Sequence, residues 1–321
     1  MMKDSKKYID IPKETEENLF SLGYSKISAD SYRIFDRYYN RMNDWWTSSS
    51  AFINLVGLMD SYIVYMKEAE GMMLNMIFLR TDGYFVAGPF LGEYKKEKMP
   101  SLMKILSEDF EALSQKFIIM DVAKWMMPFY EASGFSFEVE DDRDIMEYIF
   151  TPEQFFAGLN QQDDRYRYNY FKRKNQYETI NIRSEHAEEI DAFMDREWCG
   201  NTKCDNCHFG CLKKIIVNVV RDFDKLNARG ILVRVDGRVA GICIVTCRNH
   251  IGMYHYKNAI NRIKGLNEYL LRESFERFMG DAEIINYTED MGVESLRYYK
   301  MHMAPEYGLF SRLTLTVENY G

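Results

Sequence analysis

The second half of the chain contains runs in which apolar and polar positions alternate, which is the pattern of half-buried strands. Residues 230–247 form two such runs joined by Asp236-Gly237, a dipeptide that favours a tight hairpin turn. The rest of this half is expected to contain a third strand over residues 250–258, a helix over residues 266–279 and a final strand over residues 309–317.

The first half contains the same kinds of elements. Its helices are expected over residues 28–42, where a Ser or Asp can cap the first turn, and over residues 101–115. Strands are predicted within residues 60–92, where two turn dipeptides ending in glycine interrupt the apolar runs, and over residues 144–150, ahead of a helix that begins at Thr151-Pro152-Glu153.

Two segments repeat one order of elements. Residues 116–139 contain an apolar strand, a helix and a Gly134-Phe135 exit, and residues 282–303 contain a strand followed by a helix that ends in Met301-His302-Met303. This order is typical of the core of GNAT domains, so the repeat predicts a tandem-GNAT architecture. The predicted fold class is α/β (α+β), with mixed central sheets flanked by helices. An N-terminal domain is expected over residues 1–157 and a C-terminal domain, carrying the active site, over residues 158–321.

Length and composition agree with two packed cores. The chain has 321 residues, of which 46% are hydrophobic and 15% aromatic. Its longest apolar stretch, residues 51–59, is too short to span a bilayer, and no apolar segment follows the basic N-terminus, so a cytoplasmic location is expected. The net charge of −8 excludes a protein that coats nucleic acid with its whole surface.

One basic segment stands out against this acidic background. Residues 165–177 interleave cations with tyrosines and a phenylalanine, a composition that could contact tRNA or a lipid head group. The alternative is a solvated helix face with aromatic residues in the core. The residues of this segment assigned to substrate binding are Arg173, Lys174 and Asn175.

The segment 283–305 joins a short apolar strand, a polar turn and a helix that begins near Val293. It resembles the C-terminal signature of the phosphatidylglycerol lysyltransferase catalytic-domain family, a tandem-GNAT family related to Fem-type aminoacyltransferases. The residues that fit the signature are Asn286, Glu289, Asp290, Gly292, Leu296, Arg297, Lys300 and Pro305. Residues 172–175, Lys257 and Gly265 extend the resemblance, whereas Tyr256 stands where the family usually has Glu.

The resemblance implies a soluble acyltransferase without the membrane-embedded half of such enzymes. Its acyl donor would be an aminoacyl-tRNA, and its acceptor a lipid or another hydroxyl or amine.

Several residues of the signature carry chemistry that acyl transfer requires. Adjacent Glu289 and Asp290 repel each other, so the buried one is expected to have a raised pKa and to act as a general base. Asp290 has an alternative role as the N-cap of the helix at residue 293. Tyr299 or His255 could donate a proton to the leaving group. Lys257, Arg297 and Lys300 are candidates for anion contacts, together with Asn286 as a substrate-binding residue, and Arg297 and Lys300 lie three residues apart on one helix.

A second enzyme class is a CoA-dependent N-acyltransferase. Arg262, Gly265 and Asn267 lie between a predicted strand and a helix, where GNAT domains bind pyrophosphate on free backbone N–H groups. Asn267 replaces the small residue usual at the end of that loop, and its side chain would crowd a pyrophosphate. The alternative reading is an ordinary glycine at a helix start with solvated cations nearby.

Four of the six cysteines lie close together, at Cys199, Cys204, Cys207 and Cys211. In a reducing compartment this clustering predicts a zinc or iron-sulfur site rather than disulfides, although a second separated pair with the same spacing is missing. Incidental thiols in a loop are the alternative. A third class of function therefore stays open: a non-catalytic protein that binds metal or nucleic acid on the same fold.

Overall fold

The structure is a computed structural model that describes residues 8–42, 47, 51–199, 211–303 and 308–320. Its contacts divide the chain into two compact units. The first consists of Met1–Asp142 with Ser311–Gly321, and the second of Arg143–Phe310. No helix in the described part of the chain is long and apolar enough to cross a bilayer.

The first unit contains a seven-stranded sheet with short helices. Its elements in chain order are α1 (Lys13–Ser21), β1 (Ser25–Lys26), α2 (Tyr32–Tyr39), α3 (Phe52–Gly57), β2 (Tyr62–Ala69), β3 (Met72–Leu79), β4 (Tyr84–Ala87), α4 (Met99–Ala112), β5 (Ile118–Ala123), α5 (Met127–Glu131) and β6 (Phe135–Asp141).

The second unit contains the other seven-stranded sheet. Its elements are β7 (Glu147–Phe150), α6 (Pro152–Leu159), α7 (Gln162–Lys174), β8 (Tyr177–Asn181), α8 (Ala187–Met194), α9 (Leu212–Arg221), β9 (Arg229–Val235), β10 (Arg238–Arg248), β11 (Ile251–Ala259), α10 (Leu266–Phe278), β12 (Ile284–Glu289), α11 (Glu294–Met303) and β13 (Gly308–Phe310). The last strand of the chain, β14 (Arg312–Tyr320), belongs to the first unit.

The two sheets have the same strand order. The first reads β1-β2-β3-β4-β5-β14-β6 and the second β8-β9-β10-β11-β12-β7-β13. In each sheet the fourth and fifth strands run parallel to each other, and the strands before them form an antiparallel meander. The repeated segments of the sequence therefore occupy equivalent places, as β5–α5–β6 and β12–α11–β13. The predicted tandem GNAT-like α/β fold is confirmed.

The sixth place in each sheet is filled by a strand from the other half of the chain. Strand β14 pairs with β5 and β6, while β7 pairs with β12 and β13. The division between units consequently falls after Asp142, ahead of the expected boundary at 157/158, and the C-terminal strand joins the first unit. The single strand expected over residues 309–317 is two strands, β13 and β14, one in each sheet.

The central strands explain the apolar runs in the sequence. All eight residues of β3 are buried, and β10 is buried continuously from Val239 to Thr246, because both faces of these strands are covered. Helix α10 packs directly on β10 at Gly241, where an added Cβ would lie 2.7 Å from a side-chain carbon of Leu270. These contacts hold α10 against the sheet and so fix the position of its N-terminus.

The strand exchange predicts where a core substitution will act. Leu315 in β14 and Ile285 in β12 are both fully buried, so Leu315→Ala and Ile285→Ala should each cost about 2–5 kcal/mol. Hydrogen exchange should then quicken in β5 and β6 for Leu315→Ala, and in β7 and β11 for Ile285→Ala. Faster exchange of the second sheet in Leu315→Ala, with the first sheet unchanged, would contradict the assignment of β14.

Candidate active site

The parallel strands β11 and β12 separate along their length. Ladder pairing joins them at three positions, from Ile251 and Ile284 to Met253 and Asn286, and both strands continue beyond the last pair. The C-terminal halves of the two strands are therefore not paired with each other, and we call the region between them the opening. Side chains from β11, β12, α7, α10 and α11 meet around it.

The buried Asp290 carboxylate closes the end of β12. It accepts hydrogen bonds from Tyr148 OH at 2.6 Å, from Arg297 Nε and Nη2 at 3.0 and 2.9 Å, from Arg143 Nη1 at 3.2 Å and from the backbone N–H of Gly292 at 3.0 Å. Its side chain is completely inaccessible to solvent. The turn between β12 and α11 is thus built around one carboxylate.

The geometry changes the interpretation of Asp290. Burial alone would raise the pKa of this carboxyl, but the hydrogen bonds from Arg297, Tyr148 and Gly292 outweigh burial and lower the pKa to about 2. The expectation that the buried member of the Glu289–Asp290 pair has a raised pKa is therefore wrong for Asp290. A carboxylate with this pKa and a full set of donors is a poor base at neutral pH.

Arg297 is held between two carboxylates. Its Nη2 donates to Asp144 Oδ1 at 2.5 Å as well as to Asp290. These hydrogen bonds raise the pKa of the guanidinium further above its usual value. Because both carboxylates balance its charge, Arg297 fixes the start of α11, and a role in binding substrate remains a prediction.

Lys300 points back from α11 into the same turn. Its Nζ donates to the carbonyl oxygens of Tyr287 at 2.5 Å and Glu289 at 2.7 Å, and to Thr288 Oγ1 at 3.2 Å. Burial lowers the pKa of this ammonium to about 8, with Glu289 acting in the opposite direction. All three of its donors serve the backbone turn, in which Thr288 has a left-handed φ of 56°.

Asn286 supports that turn from the strand. Its Nδ2 donates to Glu147 Oε2 at 2.5 Å, and its Oδ1 accepts from the backbone N–H of Thr288 at 2.8 Å. Both Asn286 and Glu147 are buried. The amide therefore ties β12 to β7 and stabilises the strained residue that follows it.

Lys257 on β11 occupies the opening itself. Its Nζ lies 3.4 Å from Tyr287 OH and 5.4 Å from the centre of the Tyr299 ring. No carboxylate of the described residues lies within 4.0 Å of this nitrogen. Burial lowers the pKa of Lys257 to about 8, although Cys243, Glu268 and Asp164 act in the opposite direction. Lys257 is therefore a desolvated amine beside the Tyr287 hydroxyl and the Tyr299 ring.

The two tyrosines remain neutral donors. Burial raises the pKa values of both Tyr287 and Tyr299, and for Tyr299 the carboxylates of Asp164 and Glu268 raise the pKa further. Hydrogen bonds from Tyr287 and Asn267 act in the opposite direction on Tyr299. The predicted residues Lys257, Tyr299 and Asn267 are thus brought together, with Tyr287 added to them.

A pair of carboxylates lies at the N-terminus of α10. Glu268 is the third residue of the helix, and its nearly buried carboxylate accepts from Arg167 Nη1 of α7 at 3.2 Å. Burial raises the pKa of Asp164 on α7, and the Glu268 carboxylate raises it further. Negative charge therefore already lies at the first turn of α10, beside the backbone N–H groups that have no partner within the helix.

Gly265 begins α10 for a steric reason. It has a left-handed φ of 86°, and a Cβ there would lie 2.0 Å from the carbonyl oxygen of Arg167. The glycine thus permits α7 and α10 to pack closely. This contact is sufficient reason for a glycine here, and its role in substrate binding stays a prediction.

The sequence profile described as "Phosphatidylglycerol lysyltransferase, C-terminal" matches residues 44–309. The chain belongs to this family. No curated protein matches the sequence. Three solved structures show the same fold at low identity. A conserved protein of unknown function from Bacteroides thetaiotaomicron is 19% identical, with a TM-score of 0.81 over 92% of this chain and 99% of that one. FemX is 11% identical, with a TM-score of 0.59 over 92% and 97%. L-PGS from Bacillus licheniformis is 13% identical, with a TM-score of 0.53 over 99% and 95%.

Membership of the phosphatidylglycerol lysyltransferase C-terminal family places the chain among transferases of the acyltransferase type. Two further predicted residues, Glu289 and His255, lie on β12 and β11. Glu289 is half-buried at the end of β12, and its carboxylate contributes to a raised pKa of Tyr256, after burial. His255 is half-buried with its Nε2 2.7 Å from Thr246 Oγ1, and desolvation of the ring lowers its pKa to about 3, so the ring is neutral.

The expected anion-binding loop has its charge balanced elsewhere. Arg262 makes a bidentate contact with Glu197, with nitrogen–oxygen distances of 2.9 and 3.1 Å, and this pairing lowers the pKa of Glu197. On α7, Asn175 donates its Nδ2 to the carbonyl oxygen of Phe171 and caps the helix, while Arg173 and Lys174 are exposed in its last turn.

The four-cysteine metal site stays a prediction. Cys199 ends a π-helical turn and Cys211 precedes α9, both half-buried, whereas Cys204 and Cys207 lie outside the described residues, as does Pro305 of the signature. Among the residues that are described, no group of three or more His, Cys, Asp or Glu side chains could hold a metal ion.

Several partners of the site residues lie too far away along the chain for a local sequence pattern to predict them. Arg143 and Tyr148 are 147 and 142 residues away from Asp290, and Arg167 is 101 residues away from Glu268. Tyr287 is the one added site residue that a local pattern could have indicated. It directly follows Asn286 on a predicted strand, so its side chain faces the opposite side of the sheet from that of Asn286.

The Asp290 network predicts a pH-dependent loss of stability. Asp290→Asn removes a buried charge and leaves Arg143 and Arg297 without it, so the free energy of unfolding should fall by about 3–5 kcal/mol at pH 7. The pKa of Asp290 is lowered from 3.8 to about 2, so its contribution is complete above pH 4 and is lost as the pH falls through 2. The difference between wild type and variant, measured by urea unfolding, should therefore narrow from pH 7 to pH 3.

Asp144→Asn is the matched control, because this carboxylate also pairs with Arg297 but is 52% exposed. It should cost less than about 1 kcal/mol. Equal costs for the two variants, or a difference between wild type and Asp290→Asn that ignores pH, would refute the central role of Asp290.

Proposed function

We propose that this protein transfers an aminoacyl group from an aminoacyl ester donor, such as aminoacyl-tRNA, to a hydroxyl or amine acceptor. The acceptor to test first is phosphatidylglycerol, which the family description names. The reaction is placed in the opening between β11 and β12. There Lys257, Tyr287 and Tyr299 face the carboxylates of Asp164 and Glu268.

The observation that carries this proposal is the charge at the N-terminus of α10. The positive N-terminal end of a helix attracts a diphosphate only if no other negative charge already lies beside it. Here the Glu268 carboxylate already lies in the first turn, and Asp164 lies close enough for Glu268 to raise its pKa. Arg167 pairs with Glu268, so the two carboxylates and this guanidinium together carry one net negative charge. A second negative charge 5 Å from it meets a repulsion of about 3 kcal/mol at an effective dielectric of 20.

The same charges favour a donor that carries an ammonium group. The α-ammonium of an aminoacyl ester complements Asp164 and Glu268, whereas the diphosphate of CoA does not. Arg262, which would contact that diphosphate, pairs instead with Glu197. These features support an aminoacyl donor over acyl-CoA.

Lys257 is proposed to stabilise the transition state. With a pKa of about 8, its amine is mostly protonated at pH 7, and desolvation strengthens its interaction with negative charge that develops nearby. The ester carbonyl oxygen becomes an oxyanion when the acceptor attacks. In this proposal Lys257 Nζ and the hydroxyls of Tyr287 and Tyr299 donate to it, as do backbone groups of β11 beyond its pairing with β12.

Glu289 is the proposed general base. Asp290 is excluded because its pKa of about 2 makes it a poor base, and Glu289, the other carboxylate of the pair, is half-buried at the end of β12. It would take the proton of the acceptor hydroxyl or amine as the acceptor oxygen or nitrogen bonds to the ester carbonyl carbon. The carbon–oxygen ester bond then breaks, and the proton passes to the departing ribose hydroxyl of the donor, so that no co-reactant is needed.

The test is a transfer assay with radiolabelled aminoacyl-tRNA and phosphatidylglycerol vesicles, read as label in the lipid extract. Wild type should transfer label. Lys257→Met should lower kcat by about 10²–10³-fold because it removes an oxyanion donor, and Glu289→Gln should lower it by about 10²–10⁴-fold.

Lys214→Met serves as the control, since Lys214 is an exposed lysine on α9 of the same unit. It should leave turnover unchanged, and all three variants should keep the wild-type circular dichroism spectrum. Near-normal turnover in folded Lys257→Met and Glu289→Gln would refute the assignment of these residues. Transfer from acetyl-CoA, with none from aminoacyl-tRNA, would refute the proposed donor.

A further inference from the structure

The solvent-facing side of α7 carries a stripe of aromatic and basic residues. Tyr166, Tyr170, Arg173 and Lys174 follow the i, i+4, i+7, i+8 spacing of one helix face, while Tyr168 and Phe171 are buried on the other side. Lys264, from the loop before α10, lies over this face. We call these five residues, Tyr166, Tyr170, Arg173, Lys174 and Lys264, the α7 stripe.

The two tyrosine rings and the lysine of the stripe lie close together. Tyr166 is 50% exposed, and its ring centre lies 6.1 Å from that of Tyr170. Lys264 Nζ lies 4.9 Å from the first ring centre and 5.0 Å from the second. The stripe thus offers an accessible aromatic face beside a fixed cation.

The cations of the stripe are not neutralised by carboxylates. Within the described ranges, Arg173, Lys174 and Lys264 have no Asp or Glu oxygen within 4.0 Å, in contrast to Arg167 and Arg262 of the same region, which pair with Glu268 and Glu197. All three are exposed. In a chain with a net charge of −8, this local excess of positive charge is either solvated by water or available to an anionic partner.

Two simpler explanations account for only part of the stripe. Cations in the last turn of a helix compensate its dipole, which explains Arg173 and Lys174 but neither Lys264 nor the exposed ring of Tyr166. A bilayer surface attracts basic helices, but such helices insert Trp, Phe or Leu side chains. The apolar side chains of α7 face the protein interior, so a membrane is not favoured.

We infer that the α7 stripe binds RNA with an unpaired segment, phosphates contacting Arg173, Lys174 and Lys264 and a base stacking on the Tyr166 ring. Every base offers a π-face to a tyrosine, so this contact needs no particular sequence. The inference rests on the proposed function, because it supplies the surface that would hold the RNA part of an aminoacyl donor.

The experiment measures binding of 5′-fluorescein-labelled, deacylated tRNA by fluorescence anisotropy at several salt concentrations. Arg173→Gln combined with Lys174→Gln should weaken binding and reduce the slope of log K against log salt by about 1.4, because each phosphate contact in a single strand contributes about 0.7. Tyr166→Ala should weaken binding about tenfold, and Tyr166→Phe should bind like wild type because it keeps the stacking face.

The matched control is Lys13→Gln combined with Lys104→Gln, two exposed lysines of the first unit. It removes the same charge and should leave the salt slope unchanged. An unchanged slope in the Arg173/Lys174 variant, or an equal change in the control, would overturn the inference. So would loss of binding to phosphatidylglycerol vesicles in that variant while tRNA binding persists.

The two proposals fail in different ways. Lys257→Met should lose transfer and still bind tRNA with the wild-type salt slope. If the stripe variants bind tRNA normally while Lys257→Met abolishes transfer, the RNA surface lies elsewhere and the proposed function stands. If the stripe variants lose tRNA binding but the wild type transfers nothing, the surface is supported and the proposed function fails.

Discussion

Strands β11 and β12 run side by side for three residue pairs and then separate, and the buried Asp290 carboxylate holds the end of β12 in that position. Four residues donate to this carboxylate: Tyr148 of β7, Arg143 before that strand, Gly292 of the turn into α11, and Arg297 of α11 itself. Lys300 fixes the carbonyl oxygens of the same turn. The opening in which Lys257 lies therefore depends on a network whose charges are balanced internally. The charged residues of this network position the end of β12, and none of them has to contact a substrate to do so.

Local pattern predicted most of the elements, because turns and periodicity are local properties. The Asp236-Gly237 hairpin between β9 and β10 and the helix from Leu266 were both correct. The exchange of β7 and β14 between sheets could not be read in this way, since it depends on pairing between strands far apart in the sequence. The pKa of Asp290 escaped prediction for the same reason, because two of the donors to its carboxylate lie 142 and 147 residues away.

Charge divides the second unit into regions with different chemistry. Lys257 and two neutral tyrosines face Asp164 and Glu268 around the opening, an arrangement suited to a substrate that has a positive group next to a carbonyl. The α7 stripe carries positive charge without carboxylate partners and the exposed ring of Tyr166, an arrangement suited to a polyanion with bases. An aminoacyl ester of RNA combines both kinds of group in one molecule. The fold is common to acyltransferases with different donors, so these side chains, rather than the fold, carry the functional argument.

The selection of an ammonium-bearing donor is tested most directly by calorimetry with two ligands. One is an adenosine 3′-aminoacyl amide, which mimics the donor without hydrolysing, and the other is the same compound with its α-amine acetylated. The free amine should bind about tenfold more tightly at pH 7, which corresponds to about 1.4 kcal/mol, and Glu268→Gln should reduce that preference. Acetyl-CoA should not bind. Equal affinities for the two compounds, together with tight binding of acetyl-CoA, would contradict the claim that Asp164 and Glu268 select an ammonium-bearing donor.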